Sequence, residues 1–310
     1  MPPLISIIIP TKNRTDVFTL TLDAAVASIK NIDAEIIIIN DSKTQKLTLN
    51  HSTLKNVSIF NNSKNGVASA RNLGATNAKS EFILFIDDDI IISEENITSV
   101  ISIYKQNPRS AINLNWTYPP QLIEKIKRTQ FGRFLIHYGY TSLKGWQRGL
   151  YWDDNKLFEA DLIASYFLFI KKEDFMKIGG YNEAFPHAGA EDFEFAKRLK
   201  NSEIKGYCYP LSTVYHNESD RTQLKPWIQR KERAAETRKI AYNLGHNEVE
   251  LKSSNIKKTI ILKLYPLKNI LFFILKLIPG IPFFDPIYFR IVKILNSIYL
   301  YNGFFKSIVL

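Results

Sequence analysis

The sequence predicts an α/β protein with a mostly parallel sheet flanked by helices, followed by a C-terminal amphipathic helical extension. Two patterns in the 310 residues support this prediction. Continuous apolar runs alternate with helical patterns in the first half of the chain, as in sheets that are covered on both faces. The residues after position 250 instead combine apolar side chains with lysines at helical spacing.

The predicted strands and helices alternate from the start of the chain. Strands are expected at Leu4–Ile9, Glu35–Ile39, Val57–Phe60 and Phe82–Ile86, and helices at Asp16–Ile29, Gly66–Ala78 and Ser93–Tyr104, with Ser93 as N-cap. Further strands are expected at Ala160–Ile170 and Leu211–Tyr215, and further helices at Lys172–Ile178 and Glu191–Leu199. Residues 115–159 are irregular and aromatic, and their rings either line a binding surface or pack in the core. Ligands bind at the carboxyl ends of parallel strands, so polar residues after strands are the candidate site residues.

Composition and charge exclude several classes of protein. The chain is 45% hydrophobic and 23% charged, which is typical of a folded globular protein and not of a disordered or collagen-like one. Its one cysteine, Cys208, cannot form an internal disulfide, which favours a reducing compartment. The net charge of +11 is concentrated after residue 250, where nine basic residues accompany one acidic residue, Asp285.

The basic, apolar tail predicts association with a membrane surface and not with nucleic acid. Its uncharged runs, residues 269–275 and 294–305, are too short to cross a bilayer, and prolines divide it into short helices. We therefore expect a cytoplasmic protein that is peripheral on the inner face of the cell membrane. A chain that ends near Glu250 should then be soluble without detergent and retain ligand binding. The alternative is a helical hairpin that packs on the rest of the protein or on a second copy.

Two acidic clusters are candidates for catalytic chemistry. Asp87, Asp88 and Asp89 directly follow the fourth predicted strand, and three adjacent carboxylates repel one another unless a cation neutralises them. Oxygen ligands suit Mg²⁺ or Mn²⁺, and a solvated acidic loop is the alternative. Glu191 and Asp192 begin a predicted helix, where they are either ordinary partners of the helix dipole or a general base.

Smaller polar groups follow the other strands. Pro10–Arg14 follows the first strand, Asn40–Ser42 follows the second, and Gly66–Gly74 opens a helix that carries Arg71. His216 follows the last predicted strand, although a lone histidine is more often structural than a ligand. The sequence contains no phosphate-loop, dinucleotide-fingerprint or nucleophile-elbow motif.

Taken in order, these clusters resemble the family 2 glycosyltransferases, whose GT-A fold has a Rossmann-like, mostly parallel sheet. The matching segments are Ser6–Arg14 (SIIIPTKNR), Glu35–Ser42 (EIIIINDS), Asn65–Gly74 (NGVASARNLG), Asp87–Asp89 (DDD) and Gly179–Asp192 (GGYNEAFPHAGAED). The resemblance covers residues 4–216. This chain has Asn40 where the family has an acidic residue before Asp41, which leaves the base of the donor nucleotide open.

The resemblance implies a role for each candidate residue. Asp41 would bind the base of a nucleotide-sugar. The rest of the donor site would comprise Pro10, Thr11, Arg14, Gly66, Arg71, Asp87 and Asp88. The metal ion, Mn²⁺ or Mg²⁺, would be held by Asp87, Asp89 and His216. Asp192, with Glu191 beside it, would be the catalytic base.

The resemblance also implies an inverting, metal-dependent glycosyltransferase. It would move a sugar from a UDP-, dTDP- or GDP-sugar to a hydroxyl of a glycan or lipid-linked acceptor. The Gln-x-x-Arg-Trp motif of processive members has only a partial match, Gln229–Arg233, so we expect non-processive transfer. The expected domains are a catalytic domain, 1–220, with a nucleotide-binding half, 1–110, and an acceptor half, 111–220, and a tail, 221–310.

Three alternative functions have different signatures. A nucleotide-sugar-binding protein without turnover would not need the acidic clusters that this sequence retains. A nucleotidyltransferase usually has a Gly-rich, basic loop near its first strand, and this sequence has none. A nucleic-acid-binding module predicts binding that weakens steeply with salt, and we expect no nucleic-acid partner.

Overall fold

The computed structural model describes residues 2–44, 47 and 56–306, and the chain forms two compact units. The first unit comprises Met1–Pro119, Ser142–Pro186 and Glu191–Glu218, and the second comprises Pro120–Thr141, His187–Ala190 and Ser219–Leu310. Residues 120–141, which the sequence analysis assigned to the acceptor half, lie in the second unit with the C-terminal helices. The end of the predicted tail, residues 307–310, lies outside the described residues.

The strands fall at almost every predicted position. They are β1 (Ile5–Thr11), β2 (Ala34–Asn40), β3 (Val57–Asn61), β4 (Phe82–Ile86), β5 (Ile90–Ile91), β6 (Ser110–Thr117), β7 (Phe158–Glu159), β8 (Phe167–Lys171) and β9 (Lys205–His216). In the first unit the helices are α1 (Thr15–Ser28), α2 (Val67–Asn77) and α3 (Glu94–Gln106). Ser93 caps α3 as predicted, and Asn96 completes a capping box with it.

The remaining helices divide between the two units. They are α4 (Pro120–Ile126), α5 (Gln130–His137), α6 (Leu143–Trp146), α7 (Lys172–Lys177), α8 (Glu191–Asn201), α9 (Leu224–Asn243), α10 (Asn255–Leu264), α11 (Lys268–Leu277) and α12 (Asp285–Phe305). Strand β6 and helices α4 to α6 were not predicted, because the aromatic residues of this region show neither a two-residue nor a 3.6-residue period.

A single mixed sheet is the centre of the first unit. Among the described residues, nine strands pair in the order β3-β2-β1-β4-β8-β6-β9-β5, and β7 pairs with β9. The first four strands of this order are parallel, as predicted, whereas β8 runs antiparallel to both of its neighbours. The α/β class is therefore confirmed, with a parallel half formed by the first 86 residues and a mixed half formed by the later strands.

Buried aliphatic strands and close helix packing form the core of the first unit. All seven residues of β1 are buried, and β2 is buried along almost its whole length. Helix α2 lies close against β1, since a Cβ on Gly74 would stand 2.3 Å from the side chain of Ile8. The parallel register aligns the carboxyl ends of β1, β2 and β4, which places the residues after these strands side by side.

The predicted strand Ala160–Ile170 was wrong in its first part, since β8 begins only at Phe167. Part of the backbone before Phe167 bonds to a side chain. Asn113 Nδ2 donates to the carbonyls of Ala164 and Phe167 at 2.9 and 2.6 Å, and its Oδ1 accepts from the Ala164 N–H at 2.8 Å. This loop carries Ser165, which proves important in the site.

The second unit is a helical cluster in which the C-terminal helix is a core element. Val292, Leu295 and Ile298 on α12 are buried in one cluster with Phe134 of α5 and Ile228 of α9. The amphipathic extension is confirmed as helical. A chain that ends near Glu250 would lack this buried stripe of α12, and its solubility without detergent stays a prediction. In the part of the chain that the structure describes, no helix is both long and apolar enough to span a bilayer.

Candidate active site at the carboxyl edge of the sheet

The carboxylate of Asp41 lies at the end of β2 and is held by neighbouring loops. Its Oδ1 accepts from Asn62 Nδ2 at 2.7 Å and from the Gly66 N–H at 2.9 Å. Gly66 adopts a φ of 115°, a conformation that favours glycine, and this orients its N–H toward Asp41. The Oδ2 atom accepts from Lys12 Nζ at 3.2 Å. The structure therefore brings together Asp41 and Gly66, two residues predicted for the donor site.

The residues after β1 contact the acidic cluster after β4. Thr11 Oγ1 donates to Asp88 Oδ2 at 2.9 Å. Arg14 Nη1 lies 2.5 Å from Asp88 Oδ1 and 2.8 Å from Asp89 Oδ2. Pro10 is buried within β1 itself. Thr11 and Arg14 thus contact the carboxylates and bring the predicted nucleotide pocket and the predicted metal ligands into one site.

A cluster of three possible metal ligands forms where β5 meets the end of β9. Ile90 pairs with His216 in an antiparallel bridge, which places Asp89 beside the imidazole. Asp89 Oδ1 lies 3.2 Å from His216 Nε2. Ligand atoms of Asp89, His216 and Glu218 all lie within 4.8 Å of one another. Carboxylate oxygens and one imidazole nitrogen are a suitable donor set for Mn²⁺.

Glu218 is a site residue that was not predicted from the sequence, as are Lys12 and Ser165. It lies two residues after His216, so the available signal was a second potential ligand at the end of the same strand. Its carboxylate accepts a hydrogen bond from the Tyr118 hydroxyl. Asp87, which was predicted as a ligand together with Asp89 and His216, is not part of the cluster of three.

The environment of His216 already stabilises positive charge. Burial alone lowers the pKa of His216, but the nearby carboxylates of Asp89, Glu218 and Asp87 outweigh it, and the net pKa is raised. Within the described residues, His216 Nδ1 is buried and has no hydrogen-bond partner. A buried polar atom without a partner is costly, so the site fits a cation at this point.

Arg71 is a buried guanidinium that joins the two acidic clusters. Its Nη2 donates to Asp87 Oδ1 at 2.8 Å, and its Nη1 donates to Glu191 Oε1 at 3.3 Å. It also lies over the ring of Tyr181, 5.2 Å from the centroid. Burial alone would lower the pKa of Arg71, but the carboxylates of Asp87 and Asp192 outweigh it, so the pKa is raised and the side chain stays charged.

These contacts distinguish the two acidic residues at the start of α8. Glu191 is 1% exposed and paired with Arg71, so it has a structural partner in place. Asp192 is partly exposed, and its two oxygens accept from the N–H and hydroxyl of Ser165, each at 3.2 Å. Burial of the carboxyl raises the pKa of Asp192, while Arg71 opposes and Asp87 adds to the rise. Asp192 is thus an oriented carboxylate with a raised proton affinity, as a general base requires.

The aromatic residues of 115–159 have two different roles. Trp116 and Tyr118 are buried, and the Trp116 ring packs edge-on against His216 with 4.8 Å between centroids. Trp146 and Tyr151 are exposed. Some of these rings therefore belong to the core and pack against His216, and others face solvent.

Two family profiles match overlapping parts of the chain. The profile of "Glycosyl transferase family 2" matches residues 6–167, and that of "N-terminal domain of galactosyltransferase" matches residues 158–220. The first match spans more than half of the chain. The chain belongs to glycosyl transferase family 2.

Known relatives agree with this assignment. An uncharacterized glycosyltransferase of Haemophilus influenzae is 28% identical over 198 residues, which are 63% of this chain and 62% of the relative. Chondroitin synthase of Pasteurella multocida is 27% identical over 219 residues, which are 63% of this chain and 23% of the synthase. The chain thus spans less than two thirds of the length of either relative.

Solved structures confirm the fold. The mannosyltransferase PcManGT from Pyrobaculum calidifontis, in complex with GDP-Man and Mn²⁺, has a TM-score of 0.58 at 13% identity and covers 99% of this chain and 89% of its own. GalNAc-T7 with UDP, GalNAc and Mn²⁺ has a TM-score of 0.51 at 15% identity, and the match covers 70% of this chain and 43% of the GalNAc-T7 chain. At such identities the likeness establishes the GT-A fold.

Proposed function

We propose that this protein transfers a sugar from a nucleoside-diphosphate sugar to an acceptor hydroxyl, with inversion at the anomeric carbon. The observation that carries the proposal is the cluster of Asp89, His216 and Glu218 in the same unit as the oriented carboxylate of Asp192. A diphosphate leaving group needs positive charge, and a hydroxyl nucleophile needs a base. One site supplies both.

The donor is proposed to bind across the ends of β1, β2 and β4. Asp41 Oδ2, with Lys12 beside it, is the acceptor available to a nucleotide base, since Oδ1 already accepts two hydrogen bonds. The structures of PcManGT and GalNAc-T7 were solved with GDP-Man and with UDP, which supports a GDP-, UDP- or dTDP-sugar as the donor class.

Asp89, His216 and Glu218 are proposed to hold Mn²⁺ or Mg²⁺. When bound, the ion would neutralise negative charge that develops on the diphosphate as the glycosidic bond breaks. Arg14 already contacts Asp88 and Asp89 and would hold the loop in place while the donor enters. Arg71 would fix Asp87 and Glu191 on the opposite side of the acidic loop.

Asp192 is proposed to be the general base. Its carboxylate would take the proton of the acceptor hydroxyl as the oxygen forms a bond to the anomeric carbon. The bond to the diphosphate oxygen breaks on the opposite face, and its electron pair leaves with the nucleoside diphosphate. Ser165 holds both carboxylate oxygens and so fixes the direction of attack.

The acceptor is proposed to be a glycan or a lipid-linked sugar that receives one or a few residues. The exposed rings of Trp146 and Tyr151 lie in the first unit and offer faces on which sugar rings stack. The partial match Gln229–Arg233, without a following tryptophan, supports transfer that is not processive.

The experiment is a screen of nucleotide-sugars with Mn²⁺, with Mg²⁺ and with chelator, read as release of nucleoside diphosphate and as thermal shift. Stabilisation by one donor class with metal-dependent release supports the proposal. Thermal stabilisation by a nucleotide-sugar, without release of nucleoside diphosphate in the presence of any acceptor tested, would indicate a binding protein without turnover. Release of pyrophosphate from a nucleoside triphosphate would indicate a nucleotidyltransferase.

A further inference from the structure

Helix α11 in the second unit is apolar on two opposite sides, although packing uses only one of them. The inner side, which packs into the buried cluster, carries Leu271, Phe272 and Leu275. The outer side carries Ile270, Phe273, Ile274 and Leu277, spaced at i, i+3, i+4 and i+7. Phe273 is 62% exposed and Leu277 65% exposed. A helix needs one apolar side to fold onto its neighbours, so the outer side has another purpose.

The exposed apolar side chains extend beyond α11. We define the outer apolar surface as Ile256, Ile260, Leu267, Ile270, Phe273, Ile274, Leu277, Ile281 and Phe283, all exposed. Phe283 is 82% exposed, in the turn before α12. Single exposed apolar residues are ordinary, but nine within residues 256–283 mark an interaction surface.

The chain that carries the outer apolar surface is rich in basic residues and has one acidic residue after position 250. Exposed basic side chains lie among and after these residues, at Lys257, Lys263, Lys276, Arg290 and Lys293. The one acidic residue after position 250, Asp285, is held by Arg133, whose Nε and Nη2 donate to it at 2.6 and 2.8 Å. Its charge is therefore already matched, and the sequence has no other acidic residue after position 250.

We propose that the outer apolar surface binds an anionic phospholipid bilayer and lies in its interface. Apolar side chains among basic ones match the layered chemistry of acyl chains and acidic headgroups. A second copy of this chain would bring the same positive charges into contact, and nucleic acid would leave the apolar side chains exposed. The cytoplasmic leaflet of cell membranes is the anionic one, so the proposal places the protein on the inner face of the membrane.

The test uses the full chain with phosphatidylcholine vesicles that do or do not contain phosphatidylglycerol. The chain should sediment with the anionic vesicles and bind the neutral ones weakly. The triple variant Lys257→Glu, Lys263→Glu and Lys276→Glu should lose about 100-fold or more in apparent partition coefficient. Wild-type protein that stays in the supernatant with anionic vesicles would overturn the proposal.

A matched control variant has the same change of net charge at exposed lysines of the first unit, Lys30→Glu, Lys79→Glu and Lys177→Glu. It should bind anionic vesicles as the wild type does. An equal loss of vesicle binding in the control would show that binding depends only on net charge, and it would overturn the proposed surface. The thermal midpoint of each variant shows whether it is folded.

A second pair of variants tests insertion. Phe273→Ser, Leu277→Ser and Phe283→Ser together should leave binding that high salt reverses, whereas wild-type protein should resist release by salt. The control replaces exposed apolar residues of the first unit, Leu20→Ser, Met176→Ser and Leu211→Ser, and should behave as wild type. The wild type could instead fail to bind vesicles and form a concentration-dependent dimer that the variant Phe273→Ser, Leu277→Ser and Phe283→Ser abolishes. That result would show that the surface binds a second copy of the chain. The readout is independent of sugar transfer, so this proposal and the proposed function can fail separately.

Discussion

Replacement of Arg71 by methionine should destabilise the first unit strongly. The guanidinium is 2% exposed and donates to Asp87 at 2.8 Å and to Glu191 at 3.3 Å. Methionine has a similar length and keeps the contact with Tyr181, but it removes the guanidinium that pairs with the carboxylate of Glu191, which is 1% exposed. The loss therefore reflects a broken buried ion pair more than a cavity.

The magnitude follows from that geometry. Removal of one partner from a buried ion pair costs about 3–5 kcal/mol. In a domain of this size each kcal/mol lowers the thermal midpoint by about 2–4 °C, so the Arg71→Met midpoint should fall by roughly 6–20 °C. Neutralising the carboxylate of Glu191 with Glu191→Gln in the same chain should restore about 1–3 kcal/mol, because the two positions are coupled.

The assay is thermal and urea unfolding of the wild type, both single variants and the double variant. Arg148→Met is the control, because Arg148 is exposed and its replacement should change the midpoint little. An Arg71→Met midpoint within about 2 °C of the wild type, or a double variant no more stable than the single one, would refute the reasoning.

Three further predictions concern the proposed site. Asp192→Asn should lower kcat by about 10²–10⁴ and leave donor affinity nearly unchanged, and an equal loss in donor affinity would argue against a base. Because the pKa of Asp192 is raised, kcat/KM should rise with pH, with a midpoint above the ordinary aspartate pKa of about 4. The Ser165 hydroxyl donates to the carboxylate and stabilises its charged form, so Ser165→Ala should move this midpoint to higher pH; a shift to lower pH would contradict the role of Ser165. Glu218→Gln should weaken Mn²⁺-dependent donor binding by at least about tenfold with an unchanged thermal midpoint, and wild-type affinity would remove Glu218 from the site.

The parallel half of the fold was predictable because its strands are uninterrupted apolar runs. Strand β4 falls at its predicted residues, and the neighbouring elements differ from prediction by one or two residues at their ends. The mixed half was harder to predict, because its strand order depends on contacts between residues that are distant in sequence. The side chain of Asn113 bonds to the backbone of Ala164 and Phe167, and no local pattern around Ala160 predicts these long-range contacts.

The candidate site was predictable in its residue types but not in its pairings. The sequence placed Asp87, Asp88 and Asp89 at a strand end, but only the structure shows that Asp87 contacts Arg71 and Asp89 contacts His216. Glu218 joins the cluster because the short pairing of β5 with β9 brings the two strand ends together. A two-residue strand of this kind has too little sequence signal to be predicted.

The site's ability to bind a divalent cation with a donor is the central claim, and Mn²⁺ binding by the full chain in the presence of UDP or GDP tests it most directly. We expect one Mn²⁺ per chain, lost in Asp89→Ala and retained in the control Asp161→Ala, whose side chain is exposed. Asp89→Ala should remain folded with a lowered thermal midpoint, because its buried carboxylate pairs with Arg14 and lies beside His216, so Mn²⁺ binding is measured well below the unfolding transition of each variant. Undiminished Mn²⁺ binding by Asp89→Ala, or full transfer activity in chelator, would contradict the account.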